Sequence, residues 1–250
     1  MTLDLTFFML AIPAVIFAGF SKGGFGSGAA FVAGPLMALI VDPAFAVGLM
    51  LPLLMLVDAA TLKPYWKQWS WPDARLLILG AAPGVLLGAL FWQWADADML
   101  RLFLGIISLA FVAFQLARAA NWIRIPDRPF SPWVGRFAGM TAGFTSFVSH
   151  AGGPPVAVYL LARNLQKTTY QATTVITFWA VNIFKAIPYT FLGIFTVETL
   201  TTGLYLVPAA LFGAWLGIKA HRLVPERLFF AITYVLLVMT GTKLIFDAVT

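Results

Sequence analysis

The sequence predicts an all-α, polytopic membrane protein, and its composition and its long apolar runs are the first observations that indicate this class. The chain has 250 residues, of which 61% are hydrophobic and only 10% are charged. Soluble domains carry about 25% charged residues, so most of this protein's surface must face lipid. Three apolar runs are long enough, at about 1.5 Å per residue, to cross a hydrocarbon core of about 30 Å. They are Leu76–Trp94, Leu102–Ala117 and Leu228–Ile245.

The third observation is that the chain repeats itself. Short motifs of the first half recur in the second half at an offset of 124 or 125 residues. The recurring pairs are Gly19-Phe20-Ser21 with Gly143-Phe144-Thr145, Pro64-Tyr65 with Pro188-Tyr189, and Pro83/Gly88 with Pro208/Gly213. Several matches in one order indicate a duplication. The predicted organisation is a first transmembrane repeat at 1–120, a linker at 121–132 and a second repeat at 133–250, within one integrated membrane domain.

The distribution of charge predicts the orientation of the chain, because cytoplasmic loops are enriched in Lys and Arg. Twelve of the 16 Lys and Arg residues fall in four segments, and we assign these to the cytoplasm. They are Lys63–Arg75, Arg118–Arg136, Arg163–Lys167 and Lys219–Arg227. The opposite face then carries mostly acidic residues. We expect a multi-pass protein of the cell's inner (plasma) membrane with a cytoplasmic linker.

This orientation predicts that each repeat begins with a broken, re-entrant helix hairpin. Residues 133–162 start and end beside cytoplasmic segments, whereas Leu5–Val41 lies between the external residues Asp4 and Asp42. Three transmembrane helices follow each hairpin, which makes about eight membrane segments. Since three is an odd number, the second repeat is expected to be inverted. The alternative is that the hairpin arms are full crossings, but the return segment Val156–Ala162 is short and favours the re-entrant form.

Each hairpin contains a polar, glycine-rich break, "SKGGFGSG" at Ser21–Gly28 and "TSFVSHAGGPP" at Thr145–Pro155. Irregular backbone at membrane depth needs protein or water as a partner, and inverted repeats with interrupted helices are typical of secondary transporters. Helix N-termini, hydroxyl groups and a lysine favour an anion. The two breaks are expected to meet near the middle of the membrane. The predicted substrate-binding residues are Ser21, Lys22, Gly23, Gly24, Gly26, Ser27, Thr145, Ser146, Ser149, His150, Gly152, Gly153 and Pro154.

Three further polar residues fall within apolar segments and are predicted to act in coupling or gating: Asp58, Asn182 and Lys185. Charged side chains inside a membrane are costly and are functional candidates by default. Asn182 occupies the place of Asp58 in the second repeat. If Asp58 titrates, it would couple proton movement to transport; the alternative is an ion pair with Lys185 or Lys63 that holds the bundle. The glycines likewise have an alternative role in close helix packing.

Several classes of function are disfavoured by what the sequence lacks. It has no cysteine, which excludes disulfides and thiolate metal sites, and neither a metal nor a cofactor is expected. No cluster of acids accompanies the two histidines, so an enzyme is disfavoured. The net charge of +6 belongs to loops that set topology, which excludes nucleic acid. The expected partners are a small anionic substrate and the lipid bilayer, with a homodimer and coupling to protons left open.

The two breaks belong to longer motifs that resemble a known family. "GFSKGGFGSGAAFVAGPLM" and "GFTSFVSHAGGPPVAVYLL" lie near the start of the halves, and "LILGAAPGVLLGALF" is mirrored by "YLVPAALFGAWLG". The chain resembles the sulfite exporter TauE/SafE family of membrane permeases over nearly its whole length. The resemblance lies in these motifs, in their order and in the size of the chain.

The resemblance implies a secondary transporter of a small sulfur-containing anion, sulfite or an organosulfonate such as sulfoacetate. It would work by alternating access around a midplane site, with export as the expected direction. The second motif departs from the family pattern at Ser146-Phe147 and His150, which leaves the particular anion open. The alternatives are an anion channel of similar architecture and a proton-coupled carrier of another small organic anion.

Overall fold

The structure, a computed structural model, describes residues 4–25, 31–123, 130–221 and 226–250. These residues form ten helices and no strand, which confirms the prediction of an all-α protein. The helices are α1 (Leu5–Gly24), α2 (Ala33–Ala38), α3 (Pro43–Leu62), α4 (Trp71–Trp92), α5 (Ala97–Ala119), α6 (Pro132–Ser149), α7 (Gly153–Leu161), α8 (Lys167–Phe191), α9 (Val197–Ala220) and α10 (Glu226–Val249).

Six of the described helices are long and apolar enough to cross a membrane: α1, α3, α4, α5, α9 and, from Phe230 onwards, α10. The chain is therefore a polytopic membrane protein, as predicted. The helix α8 is longer than any of these six, with 25 residues, but it is more polar. It packs in contact with α3, α4 and α6.

Among the described residues, the helices have the same order in both halves: a long helix, a short helix and three long helices. Two hydrogen bonds repeat as well. The hydroxyl of Tyr65 donates to the carbonyl of Gly23 at 2.7 Å, and that of Tyr189 donates to the carbonyl of Phe147 at 2.5 Å. Donor and acceptor are both displaced by 124 residues, the offset of the sequence motifs. The duplication thus extends to tertiary contacts, while the inverted relation of the halves stays a prediction.

The long arm of each hairpin packs against a helix of the other half. An added Cβ at Gly84 on α4 would lie 2.0 Å from the carbonyl oxygen of Met140 on α6, and one at Gly217 on α9 would lie 2.2 Å from that of Phe20 on α1. Small residues allow helix backbones in a membrane to approach this closely. The two sequence halves, 1–120 and 133–250, are therefore interlocked by their hairpins and are not separate bodies.

The second hairpin, α6–α7, starts and returns at the same end of the bundle. Arg136, near the start of α6, lies against Gly80 in the first half of α4. Just after α7, the Nε atom of Arg163 lies 2.7 Å from Oδ1 of Asp73, in the first turn of α4. The hydroxyl of Tyr159 donates to the same oxygen at 3.0 Å. These contacts hold the return arm of the hairpin to the start of α4.

The first hairpin, α1–α2, lies at the other end of the bundle. The ring of Phe8, early in α1, contacts that of Tyr205 in α9 with centroids 6.3 Å apart, and Gly48 near the start of α3 lies against the carbonyl of Ile194, just before α9. The Asp4 and Asp42 carboxylates accept hydrogen bonds from the first turns of α1 and α3. The acidic residues expected on the external face thus include two helix N-caps.

The two described arms of each hairpin differ in length. The long arms α1 and α6 have 20 and 18 residues, about 30 and 27 Å of helix. The short arms α2 and α7 have 6 and 9 residues, about 9 and 14 Å. Each hairpin therefore combines an arm of membrane-spanning length with a short return arm, a form between the two alternatives that the sequence left open.

Candidate functional site

The helix α8 brings a polar face into the centre of the bundle. Its residues Gln171, Phe178, Asn182 and Lys185 are separated by seven, four and three positions, which places them on one side of a helix. All four are buried or nearly so, and they face the two hairpins and α3 through the contacts described below. Because charged and amide groups are costly in lipid, α8 turns this polar face into the protein, while its apolar residues Ile187 and Phe191 are exposed on the opposite side.

Asp58, near the end of α3, is fully buried and held from two sides. Its Oδ1 atom lies 2.6 Å from the Nζ atom of Lys22, and its Oδ2 atom accepts a hydrogen bond from Nδ2 of Asn182 at 2.7 Å. A buried carboxylate requires such partners. The ion pair expected with Lys185 or Lys63 is therefore corrected: the partner of Asp58 is Lys22, from the first hairpin.

Lys185 on α8 points its ammonium group at three neutral acceptors. Its Nζ atom lies 2.8 Å from Nδ1 of His150, 3.2 Å from Oγ of Ser146 and 3.3 Å from Oδ1 of Asn182. A lysine ammonium has three N–H donors and no acceptor, so the three partners match its capacity. Asn182 donates to Asp58 through Nδ2 and accepts from Lys185 through Oδ1, so its two neighbours fix the orientation of its amide.

His150 ends α6 in the left-handed region of the backbone, with φ of 57°. Its Nε2 atom lies 3.0 Å from the carbonyl oxygen of Val47 in α3. Since a carbonyl only accepts, Nε2 carries the hydrogen, and Nδ1 is left with the lone pair that accepts from Lys185. The geometry is therefore that of a neutral imidazole, anchored on α3 and turned towards the lysine.

These contacts join six side chains into one structure, which we call the polar chain. None of the six is more than 8% exposed. The polar chain consists of Lys22, Asp58, Asn182, Lys185, Ser146 and His150. It unites residues that the sequence assigned to substrate binding with residues that it assigned to coupling. With both lysines and the carboxylate counted as ionised, its formal charge is +1.

The first hairpin meets the second break just after its own break, since a Cβ atom on Gly34 in α2 would lie 3.1 Å from the carbonyl oxygen of Ser149; residues 26–28 of the first break lie outside the described residues. The polar residues of the two breaks contact α8 at separate positions. The carbonyl of Lys22 accepts a hydrogen bond from Nε2 of Gln171 at 2.6 Å, whereas His150 is bonded to Lys185. Along α8, 14 residues separate Gln171 from Lys185, about 21 Å of helix. The side chains of the polar chain bridge this distance.

Gly23 and Gly24 serve helix packing. A Cβ atom on Gly23 would lie 2.5 Å from the carbonyl oxygen of Ala214, and one on Gly24 would lie 2.3 Å from that of Gly217. Their own carbonyls bond the Tyr65 hydroxyl and the His221 ring. The backbone of α9 fills the space that an oxyanion was expected to occupy, so the packing alternative describes these two glycines better.

Several other predicted residues shape the second hairpin. The Thr145 hydroxyl donates to the carbonyl of Ala151 at 3.0 Å, and that of Ser149 donates to the carbonyl of Thr145 at 2.8 Å. Gly152 packs tightly, since an added Cβ would lie 2.8 Å from the carbonyl oxygen of Ala142. Gly153 and Pro154 begin α7, where proline is suited because its missing N–H needs no partner.

The remaining predicted residues lie outside the polar chain or outside the described residues. Ser21 is buried in the last turn of α1. Gly26 and Ser27 fall in the range 26–30, which the structure does not describe. Thr145 and Pro154 also line an apolar cavity of about 280 Å³ beside α5, together with Phe111 and Val158. In the part of the chain that is described, no group of three or more His, Cys, Asp or Glu side chains could hold a metal ion.

Four residues that hold the hairpin backbones in place were not predicted as site residues. Tyr65, Tyr189, Gln171 and His221 each bond to a backbone carbonyl in or beside a break. Both tyrosines belong to the repeated Pro-Tyr pair, and that repetition is the signal by which the sequence could have indicated their role. Gln171 and His221 lie in or beside basic segments and look like loop residues, so the sequence offered no signal for them.

A bundle of spanning-length helices, with charged side chains buried between two interrupted hairpins, defines a membrane transport protein. Comparison with known families agrees with this class: the model of the family described as sulfite exporter TauE/SafE matches residues 11–244. The chain belongs to the sulfite exporter TauE/SafE family, which confirms the resemblance seen in its motifs. No curated protein and no solved structure matched the chain. The family is one of membrane transporters and not of enzymes.

Proposed function

We propose that the protein is a secondary transporter that exports a small sulfur-containing anion, sulfite or an organosulfonate, across the cytoplasmic membrane. The observation that carries this proposal is the polar chain, which lies between the two hairpins and has a formal excess of one positive charge. Membership of the TauE/SafE family supports the same class of substrate. The predicted cytoplasmic linker and inner-membrane location follow from the positive-inside distribution of Lys and Arg.

The charge of the polar chain supports an anion as the substrate. Lys22 is neutralised by Asp58, at 2.6 Å. Lys185 contacts only neutral groups, and no carboxylate of the described residues lies within ion-pair distance of it. A buried ammonium without a counter-ion is destabilising by several kcal/mol. A bound oxyanion would supply the missing negative charge.

The burial of the polar chain supports alternating access over an open channel. A conducting channel needs a continuous water-filled path, whereas the six side chains are 0–8% exposed. The two hairpins lie at opposite ends of the bundle, as described above, and each packs on the other half through glycines. Rocking of one hairpin with its partner helix would expose the polar chain to one side at a time, as in carriers built from inverted repeats.

Export needs no coupling ion. An anion that leaves a cell with a negative interior gains about 2.3 kcal/mol per charge per 100 mV. Proton coupling through Asp58 is the second mechanism to test, since protonation of its carboxyl group would release Lys22. A pH gradient distinguishes the two, because a uniporter responds to voltage and not to the proton gradient.

The test is flux through the purified full-length protein in proteoliposomes. A panel of sulfite, sulfoacetate, sulfolactate and sulfate would be measured with and without a pH gradient. We expect saturable flux of at least one sulfur anion, stimulated by unlabelled substrate on the opposite side. Flux that neither saturates nor shows this stimulation would identify a channel instead. Transport of other organic anions with none of the sulfur anions would replace the proposed substrate class.

A further inference from the structure

We propose that the site is built for a single negative charge and that Lys185 is the ammonium group that receives it. This inference rests on the transport function proposed above and narrows its substrate class. The favoured substrates are singly charged oxyanions, such as hydrogensulfite or a simple alkylsulfonate. Doubly charged anions, such as sulfate and sulfoacetate, are disfavoured. The observations that carry it are the different partners of the two buried lysines.

Lys22 does not offer a free charge to a ligand. Its Nζ atom lies 2.6 Å from the Asp58 carboxylate, and both side chains are at least 96% buried. Asn182 occupies the other carboxylate oxygen, so this pair is closed on both sides. Within the polar chain, Asp58 thus stands where an anionic ligand of Lys22 would otherwise bind.

Lys185 is the cation that remains. Its three partners, the Ser146 hydroxyl, the Asn182 carbonyl and the His150 ring nitrogen, are all neutral. His150 keeps its lone pair towards Lys185 because its other nitrogen donates to Val47. With Lys22, Asp58 and Lys185 all ionised, as they would be when an anion is bound, the formal charge of the polar chain is therefore +1.

An oxyanion can take over from one of these partners without leaving a polar group unsatisfied. One oxygen would replace Oγ of Ser146 on the Lys185 ammonium group, and the Ser146 hydroxyl, once released, can rotate and donate to the same anion. His150 would stay in place, because Val47 fixes its ring. A monoanion then brings the buried charge to zero, whereas a dianion leaves one negative charge without a partner, which is strongly disfavoured in a buried site.

Asp58 therefore determines selectivity by substrate charge. Replacement of Asp58 by asparagine keeps its shape but raises the local charge to +2, which suits a dianion. Replacement of Lys22 by methionine lowers the local charge to zero, because Asp58 and Lys185 are then the only charged residues of the polar chain. Replacement of both residues returns the charge to +1 and removes the ion pair as a unit, which is far less destabilising than removal of one partner.

The experiment compares the flux of methanesulfonate, a monoanion, with that of sulfate, a dianion, in proteoliposomes at zero membrane potential. We expect the wild type to prefer methanesulfonate and Asp58→Asn to shift the ratio towards sulfate by about tenfold or more. Lys22→Met should lose methanesulfonate flux by about 100-fold, and Lys22→Met/Asp58→Asn should recover most of it. Lys243→Met is the matched control, because this exposed lysine on α10 pairs with Asp247 outside the polar chain.

Three outcomes would overturn the inference. They are a wild type that prefers sulfate, a folded Asp58→Asn variant with an unchanged ratio, and a double variant no better than Lys22→Met. If Asp58→Asn does not fold, the double variant decides, since it adds no unpaired charge to that of Lys185, which the wild type already has. A wild type that transports no sulfur anion would instead contradict the proposed function, so the two failures are distinguishable.

Discussion

Asn182 donates a hydrogen bond of 2.7 Å to Asp58, and the two residues occupy equivalent positions in the two repeats, 124 residues apart. Direct contact between equivalent residues is what a two-fold relation between the halves would produce. The charges around this contact are not symmetric. Lys22 aligns with Ser146 and Lys185 aligns with Thr61, so each half contributes one lysine, from a different element. The duplicated scaffold thus holds a site whose two lysines have different roles.

Lys22→Ala should abolish saturable anion transport while leaving membrane insertion intact. The substitution leaves Asp58 buried without its cation, a loss of about 3–5 kcal/mol, and its carboxylate then opposes an anion at Lys185. Initial flux against substrate concentration and the elution profile in detergent would be measured. The matched control is Lys243→Ala, whose side chain is 57% exposed. Wild-type affinity and rate in Lys22→Ala would remove Lys22 from the site.

Gly84→Ala should destabilise the protein and Gly203→Ala should not. A Cβ on Gly84 would lie 2.0 Å from the carbonyl oxygen of Met140, whereas the nearest atom to a Cβ on Gly203 lies at 3.7 Å. Overpacking of this kind costs about 1–3 kcal/mol, while alanine in an open helical position gains up to about 1 kcal/mol. Thermal unfolding midpoints in detergent measure both. Equal midpoints would show that α4 and α6 do not pack through this glycine.

Arg163→Met should loosen the return of the second hairpin. It removes the cation 2.7 Å from the buried carboxylate of Asp73, and we expect a loss of about 1–3 kcal/mol in stability. The control, Arg101→Met, breaks the exposed ion pair with Asp98 and should change stability by about 1 kcal/mol or less. Thermal unfolding midpoints in detergent would be compared. Equal stability of the two variants would show that the ion pair between Arg163 and Asp73 does not stabilise the hairpin.

Single cysteines at Asp42 and Gln166 should react with a membrane-impermeant maleimide from opposite faces. The chain has no native cysteine, and both positions are exposed. Since Asp42 caps α3, its replacement is expected to cost about 1 kcal/mol, and expression would be checked first. Intact cells and inverted vesicles provide the two accessible faces. Labelling of both positions from the same side would overturn the inverted arrangement of the repeats.

The helical class was predictable from the sequence, which also supplied the hypotheses of a duplication, of two breaks and of a polar site. These features are local: hydropathy over about 20 residues predicts a span, and Gly, Pro and Ser within an apolar run predict a break. Asp58, Asn182 and Lys185 could be selected because a charged or amide side chain in an apolar segment is conspicuous by itself. Membership of the family followed from the same short motifs.

Only the tertiary structure decided which of these residues meet. The sequence allowed Asp58 to pair with Lys63 or Lys185, but Lys22 lies beside it, because α1 packs along α9 and directs its last turn towards α3 and α8. The sequence indicated Gly23 and Gly24 as ligands of an anion, but in the structure the backbone of α9 packs against them. Which residues become partners depends on which helices are in contact and in which register. No local pattern contains this information, because it is shared between segments more than 100 residues apart.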